Sequence, residues 1–126
     1  LHQHASKFDW VGFYWANPNR EDWLILGEFS GKPTEHTEIP FGKGICGQVA
    51  VSKETMVVDD VCAVENYIAC SLDVRSEIVA PIMVDGRFVG QIDIDSDTPA
   101  AFSEETKRKL EQLANAIGKV FEEKSL

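Results

Sequence analysis

The chain has 126 residues, of which 44% are hydrophobic and 26% are charged, and its formal net charge is −9. These values are typical of one soluble globular domain, so we expect residues 1–126 to form a single domain. No apolar run approaches the roughly 18 residues that a membrane helix needs, and so acidic a surface repels nucleic-acid phosphates. The sequence therefore argues against a disordered chain, a membrane partner and a nucleic-acid partner.

The first half of the chain predicts a hairpin followed by a short helix. Aromatic and β-branched residues alternate over residues 8–16, which favours a strand, and residues 17–20 have the composition of a turn. The predicted elements, in chain order, are the end of an incomplete helix at 1–7, strands at 8–16 and 23–29, a polar connection at 31–40, a helix at 45–53 and a strand at 56–58.

The second half predicts a long loop, a second hairpin and a long helix. A loop over residues 59–76 is long for a compact domain, and such loops are often functional. Strands at 77–84 and 87–96 flank Asp85-Gly86, which is a two-residue hairpin signal. Ser103 can cap the last helix, whose apolar residues recur at helical spacing up to Phe121. The order of elements indicates an α+β fold in which helices cover an antiparallel sheet.

Three cysteines are the first candidates for chemistry: Cys46, Cys62 and Cys70. Their odd number argues against a disulfide framework, and no histidine stands at metal-ligand spacing, so we expect reduced thiols in the cytoplasm and no metal site. Cys46 opens a predicted helix, where backbone N–H groups favour a thiolate, and Cys70 lies in the long loop. Each could equally be a buried, inert side chain.

Carboxylates and aromatic side chains are the other candidates. Asp93 and Asp95 share one face of a predicted strand, and Glu77 opens the strand before it. Together they could bind an ammonium group or transfer a proton, or they could form a solvated sheet face. Trp10 and Tyr14 share a face of the first strand, where they could line a small-molecule pocket or belong to the core.

Five segments of the sequence carry a family resemblance. They read Trp-Val-Gly-Phe-Tyr at 10–14, Ile-Pro-Phe-Gly-Lys-Gly-Ile-Cys-Gly at 39–47, Tyr-Ile-Ala-Cys at 67–70, Ser-Glu-Ile-Val-Ala-Pro-Ile at 76–82 and Gly-Gln-Ile-Asp-Ile-Asp-Ser at 90–96. In this order they resemble the free methionine-(R)-sulfoxide reductases, small enzymes built on one GAF domain, over about residues 9–122. The resemblance implies a GAF-like central antiparallel sheet of about six strands, with helices on one face and a loop-covered pocket on the other.

The resemblance also implies a role for each candidate residue. Cys70 matches the family's nucleophile, and Cys46 matches a second cysteine that can act in resolution. The carboxylates around the substrate are matched by Glu77, which could act as the acid, and by Asp93 and Asp95. The aromatic residues of the pocket wall are matched by Trp10 and Tyr14.

Four positions depart from the family's pattern. His36 stands where many members have their resolving cysteine, and Cys62, Tyr67 and Ser71 replace the usual residues near the nucleophile. Resolution therefore passes to Cys46, with Cys62 as the alternative, or the domain has kept the pocket and lost the reaction.

Two functions follow from the resemblance. The first is thiol-dependent reduction of free methionine sulfoxide, with a thioredoxin-type protein as external reductant and no metal or organic cofactor. The second is a non-catalytic GAF domain that binds or senses a small, amino-acid-like molecule. In either case the terminal helix could support a homodimer.

Overall fold

The computed structural model describes residues 8–61 and 74–124 of the chain. Its elements are β1 (Trp10–Ala16), β2 (Trp23–Ser30), β3 (Glu38–Pro40), α1 (Gly44–Ser52), β4 (Met56–Val58), β5 (Ser76–Val84), β6 (Arg87–Ser96) and α2 (Glu104–Lys124). No helix in these two ranges is long and apolar enough to cross a membrane. The helix predicted at residues 1–7 and most of the predicted loop lie outside the described residues.

The strands form one antiparallel sheet in the order β3-β2-β1-β6-β5-β4. Two hairpins, β1–β2 and β5–β6, build most of it, and the pairing of β1 with β6 joins them at the centre. The predicted six-stranded α+β fold is therefore confirmed.

The helix α2 covers one face of the sheet. Side chains along strands β5 and β6 point alternately to the two faces of the sheet, and those that face α2 are apolar. This core cluster includes Ile78, Ala80, Ile82, Ile92 and Ile94 of the sheet with Leu110 and Ala114 of α2. At the start of α2, the backbone N–H of Thr106 donates to the Ser103 hydroxyl at 3.1 Å, which confirms the predicted cap.

The helix α1 lies on the opposite face, so the two described helices do not share the single face that the resemblance implied. Its Ile45 and Val49 pack in a second core cluster with Tyr14 of β1 and Val79 of β5. Six of its nine residues are buried. A helix that is apolar nearly all round is suited to an interior position, and this one covers the sheet face away from α2.

The polar connection predicted over residues 31–40 contains a strand that the sequence did not reveal. Strand β3 spans three residues and pairs with the outer edge of β2, with Ile39 opposite Leu24. Only Ile39 of this strand is buried, so it offers no alternating pattern to detect. The loop predicted over residues 59–76 ends one residue earlier than expected, because Ser76 already belongs to β5.

Candidate active site

The pairing of three strands places the predicted carboxylates on one face of the sheet. Asp95 of β6 lies directly opposite Glu77 of β5 and Trp10 of β1, and Asp93 lies opposite Gly12. Directly opposed residues point their side chains to the same face, so these groups share the face that α1 covers. The three carboxylates are 0–3% exposed. Such burial is rare for acidic side chains unless they are hydrogen-bonded or bind a partner.

Cys46 brings a thiol into contact with these carboxylates. It lies in the first turn of α1, and its Sγ donates a hydrogen bond to Asp93 Oδ2 at 3.3 Å. The same Sγ is 3.9 Å from Glu77 Oε2. Because Sγ donates the hydrogen bond to Asp93, Cys46 is a thiol here, and the partial positive charge at the N-terminal end of the helix opposes the effect of the two carboxylates on a thiolate.

Asp93 is a carboxyl group whose acidity is changed by burial. Removal from water raises its pKa above the ordinary value of 3.8, and hydrogen bonds with Glu77, Cys46 and Asp95 lower the pKa by less. A hydrogen bond between two carboxyl groups requires that one of them holds a proton. The cluster can therefore keep a proton beside the Cys46 thiol at a pH where an exposed aspartate would have lost it.

The predicted aromatic residues attach a covering segment to the same face. The Trp10 indole Nε1 donates to the Lys32 carbonyl at 3.1 Å, and the Tyr14 hydroxyl donates to the His36 carbonyl at 2.8 Å. Both acceptors belong to the segment between β2 and β3. The two rings are almost fully buried, so they form a wall between this segment and the sheet.

The donor atoms at the centre of the site lie close together. The Cys46 sulfur and one carboxylate oxygen each of Glu77 and Asp93 are all within 4.8 Å of one another. One small polar or charged group of a ligand could contact all three. The expectation that the site uses no metal stays a prediction.

Sequence reasoning missed one polar residue on this face. Gln91 is fully buried and lies opposite Tyr14. Its amide has no hydrogen-bond partner within residues 8–61 and 74–124. The alternation that pointed to Asp93 and Asp95 extends to Gln91 and could have identified it. The structure thus brings together Cys46, Glu77, Asp93, Asp95, Trp10 and Tyr14, whereas Cys62, Tyr67, Cys70 and Ser71 lie outside the described residues.

Comparisons with known proteins agree with this architecture. The GAF domain family matches residues 2–121. The chain is 44% identical to the free methionine-R-sulfoxide reductase of Saccharomyces cerevisiae, covering 91% of this chain and 64% of the relative. It is 34% identical to the Escherichia coli protein of the same name, covering 95% and 70%.

A solved structure is also similar to this chain. It is the free methionine-R-sulfoxide reductase of Neisseria meningitidis in complex with its substrate, with a TM-score of 0.91 and 41% sequence identity. The match covers all of this chain and 75% of the other. The chain thus spans between 64% and 75% of the length of these relatives.

Proposed function

Because this chain belongs to the GAF domain family, and within it to the free methionine-R-sulfoxide reductases, we propose that it reduces free methionine-(R)-sulfoxide to methionine. The observation that carries the proposal is the buried contact of the Cys46 thiol with Asp93, with Glu77 beside them. Such a cluster joins a thiol to carboxyl groups that can hold a proton, and sulfoxide reduction needs both.

The first step is attack on the substrate sulfur. The thiolate of Cys70 attacks the sulfoxide sulfur, and a carboxylic acid of the Glu77–Asp93 pair protonates the oxygen. The protonated oxygen passes from the methionine sulfur to the Cys70 sulfur as the sulfoxide S–O bond and the transient bond between the two sulfurs break. Methionine leaves and Cys70 becomes a sulfenic acid, so the thiol is oxidised as the sulfoxide is reduced. The raised pKa of Asp93 supports this role, because a general acid must still hold its proton near the working pH.

The carboxylates also account for a free amino acid as the substrate. The Asp95 carboxylate pairs with the ammonium group, which is absent from a methionine residue inside a peptide, and an oxygen of Asp93 accepts a second hydrogen bond from it. Trp10 and Tyr14 form the wall beside them. Burial of these side chains supports the assignment, because an ammonium–carboxylate pair is much stronger away from water.

The second step forms a disulfide. The Cys46 thiolate attacks the sulfenic acid of Cys70, a Cys46–Cys70 bond forms, and the hydroxyl leaves as water with the proton of Cys46. A thioredoxin-type protein then reduces the bond by thiol–disulfide exchange, so no metal or organic cofactor takes part. We assign resolution to Cys46 because its thiol already lies in the carboxylate cluster, whereas His36 cannot form a disulfide. Cys62 is the alternative.

The proposal extends to the location and the assembly of the protein. We place the protein in the cytoplasm, where thiols are kept reduced between turnovers. A homodimer through α2 is supported by three apolar side chains that α2 exposes by 37–48%: Leu113, Val120 and Phe121.

Turnover of separated sulfoxide epimers tests the function. With thioredoxin, its reductase and NADPH, the wild-type chain should consume the R epimer of free methionine sulfoxide and leave the S epimer. Cys70→Ser should bind the R epimer without consuming it. Binding by both proteins without any turnover would instead identify a non-catalytic ligand-binding domain.

Peptide mapping after one equivalent of sulfoxide tests the resolving cysteine. A Cys46–Cys70 bridge is expected, and Cys62→Ser should form it as the wild type does. A Cys62–Cys70 bridge would transfer resolution to Cys62. A persistent sulfenic acid on Cys70 would mean that neither cysteine resolves.

A further inference from the structure

We infer that Gly12 is a positioning residue, whose missing side chain lets the Trp10 indole lie against the sheet beside Asp93 and so shapes the site for a ligand ammonium group. The inference rests on the proposed function, because it takes Trp10 and Asp93 as substrate-binding residues. It concerns a residue that contacts no substrate itself.

The Trp10 indole is fixed by contacts on several sides. Its ring stacks on Phe29, with centroids 5.7 Å apart and planes 16° from parallel, and its Nε1 donates to the Lys32 carbonyl. A Cβ atom added at Gly12 would lie 2.2 Å from Cη2 and 2.6 Å from Cζ3 of the indole. One added at Gly31 would lie 2.8 Å from Cδ1. The atom added at Gly12 would also lie 2.9 Å from Phe29 Cβ. The benzene edge of Trp10 is therefore the main occupant of the space that a side chain at position 12 would take, with Phe29 beside it.

That space adjoins the carboxylate cluster. Gly12 is directly opposite Asp93 in the β1–β6 pair. Since Cβ atoms of such pairs are about 4.5–5.5 Å apart, the Trp10 Cη2 atom lies within roughly 8 Å of the Asp93 Cβ. A buried carboxylate attracts a cation strongly, and the Trp10 ring limits the space beside Asp93 in which that cation can lie. The ammonium group of a free amino acid has the charge for this position.

A bulge in the β1–β2 pairing is a second reason for glycine at position 12, apart from the contact with Trp10. The β1–β2 pairing shifts between Gly12 and Tyr14, and glycine in a strand often marks such a bulge. The backbone of Gly12 is not among those with positive φ, so alanine can adopt it. If the bulge alone requires glycine, alanine should be equally harmful whatever side chain stands at position 10.

A double-mutant cycle distinguishes the two reasons. Gly12→Ala should raise KM for the R epimer about tenfold and leave kcat within about threefold, because the displaced indole weakens binding more than the chemical step. In a Trp10→Phe background, which lacks Cη2 and Cζ3 of the indole, the same change should alter KM less than about twofold. Equal effects in both backgrounds, or a wild-type KM for Gly12→Ala, would overturn the inference.

Gly27→Ala is the matched control. Its added Cβ would lie 2.4 Å from Nε1 of Trp15, another strand indole, but Trp15 packs against the core cluster under α2. The control should lose stability and keep the wild-type KM. A rise in KM equal to that of Gly12→Ala would show a general effect of strand glycines and would contradict the inference.

Thermal unfolding keeps the inference testable without turnover. Gly12→Ala should lower Tm in the wild-type background and less in Trp10→Phe, where only the contact of the added Cβ with Phe29 remains, and this coupling needs no substrate. If Gly12→Ala does not fold, a folded double variant supports the inference, and an unfolded one beside folded Trp10→Phe overturns it. If the wild type is inactive but the effects of Gly12→Ala and Trp10→Phe on Tm are coupled, the proposed function is refuted and the packing of Trp10 on Gly12 is not.

Discussion

Replacement of Asp93 by asparagine should change how the stability of the protein depends on pH. Burial raises the pKa of Asp93 in the folded protein, whereas the unfolded chain has an ordinary aspartate pKa of about 3.9. Between these two values the folded state holds a proton that the unfolded state has lost. Rising pH therefore favours the unfolded state of the wild type, and Asp93→Asn, which has no such proton, escapes this effect.

The size of the effect follows from linkage. One proton held only by the folded state lowers the free energy of unfolding by about 1.4 kcal/mol for each pH unit. Below pH of about 3.9 both states are protonated and the group has no effect. Above that value, the free energy of unfolding of Asp93→Asn minus that of the wild type should rise until the folded pKa is passed. The slope of this stability difference against pH, and not its sign at one pH, tests the reasoning.

Urea unfolding followed by tryptophan fluorescence at several pH values between 4 and 7 measures this difference. Glu28→Gln, which removes an exposed carboxylate on β2, is the control for the loss of one negative charge. A stability difference for Asp93→Asn that stays constant across the range, or that grows as the pH falls, would refute the reasoning from burial.

Three further substitutions test the ligand site and the packing. Asp95→Asn should weaken binding of methionine sulfoxide about tenfold in calorimetry, without unfolding the chain; unchanged affinity together with a lower Tm would contradict this. Ser103→Ala removes the acceptor for the Thr106 N–H and should lower the free energy of urea unfolding by about 1 kcal/mol, whereas no change would deny the cap a role. Gly118→Ala would place a Cβ 2.4 Å from the Met83 carbonyl oxygen and should cost about 1–3 kcal/mol in the same assay, although alanine favours a helix; a stabilised protein would contradict that contact.

The strands of the second hairpin could be predicted because apolar residues recur at every second position in the sequence. Ile92 and Ile94 mark one face of β6, so Asp93 and Asp95 had to share the other. Periodicity does not reveal which face is covered. The structure shows both faces buried, with α2 on the isoleucines and α1 on the aspartates.

The contacts at the site could not be predicted from spacing, because they join distant parts of the chain. Cys46 and Asp93 are 47 residues apart, and only the placement of α1 on the sheet brings their side chains together. Trp10 and Tyr14 reach backbone carbonyls 22 residues away, and no side-chain pattern signals a backbone acceptor. Strand β3 escaped prediction for a related reason, since its pairing depends on β2 and not on its own three residues.

The alternation in β6 also protects the pairing of the central strands against error. If β6 slipped by one residue against β1 and β5, Asp93 and Asp95 would enter the apolar core under α2, and Ile92 and Ile94 would replace them beside Cys46. Two carboxylates without partners in that core would cost several kcal/mol, which is a large part of the stability of a small domain. Misaligned forms of the sheet are thereby strongly disfavoured. The pair of acidic residues proposed to recognise a ligand thus also ensures that the chain folds with its strands in the correct alignment.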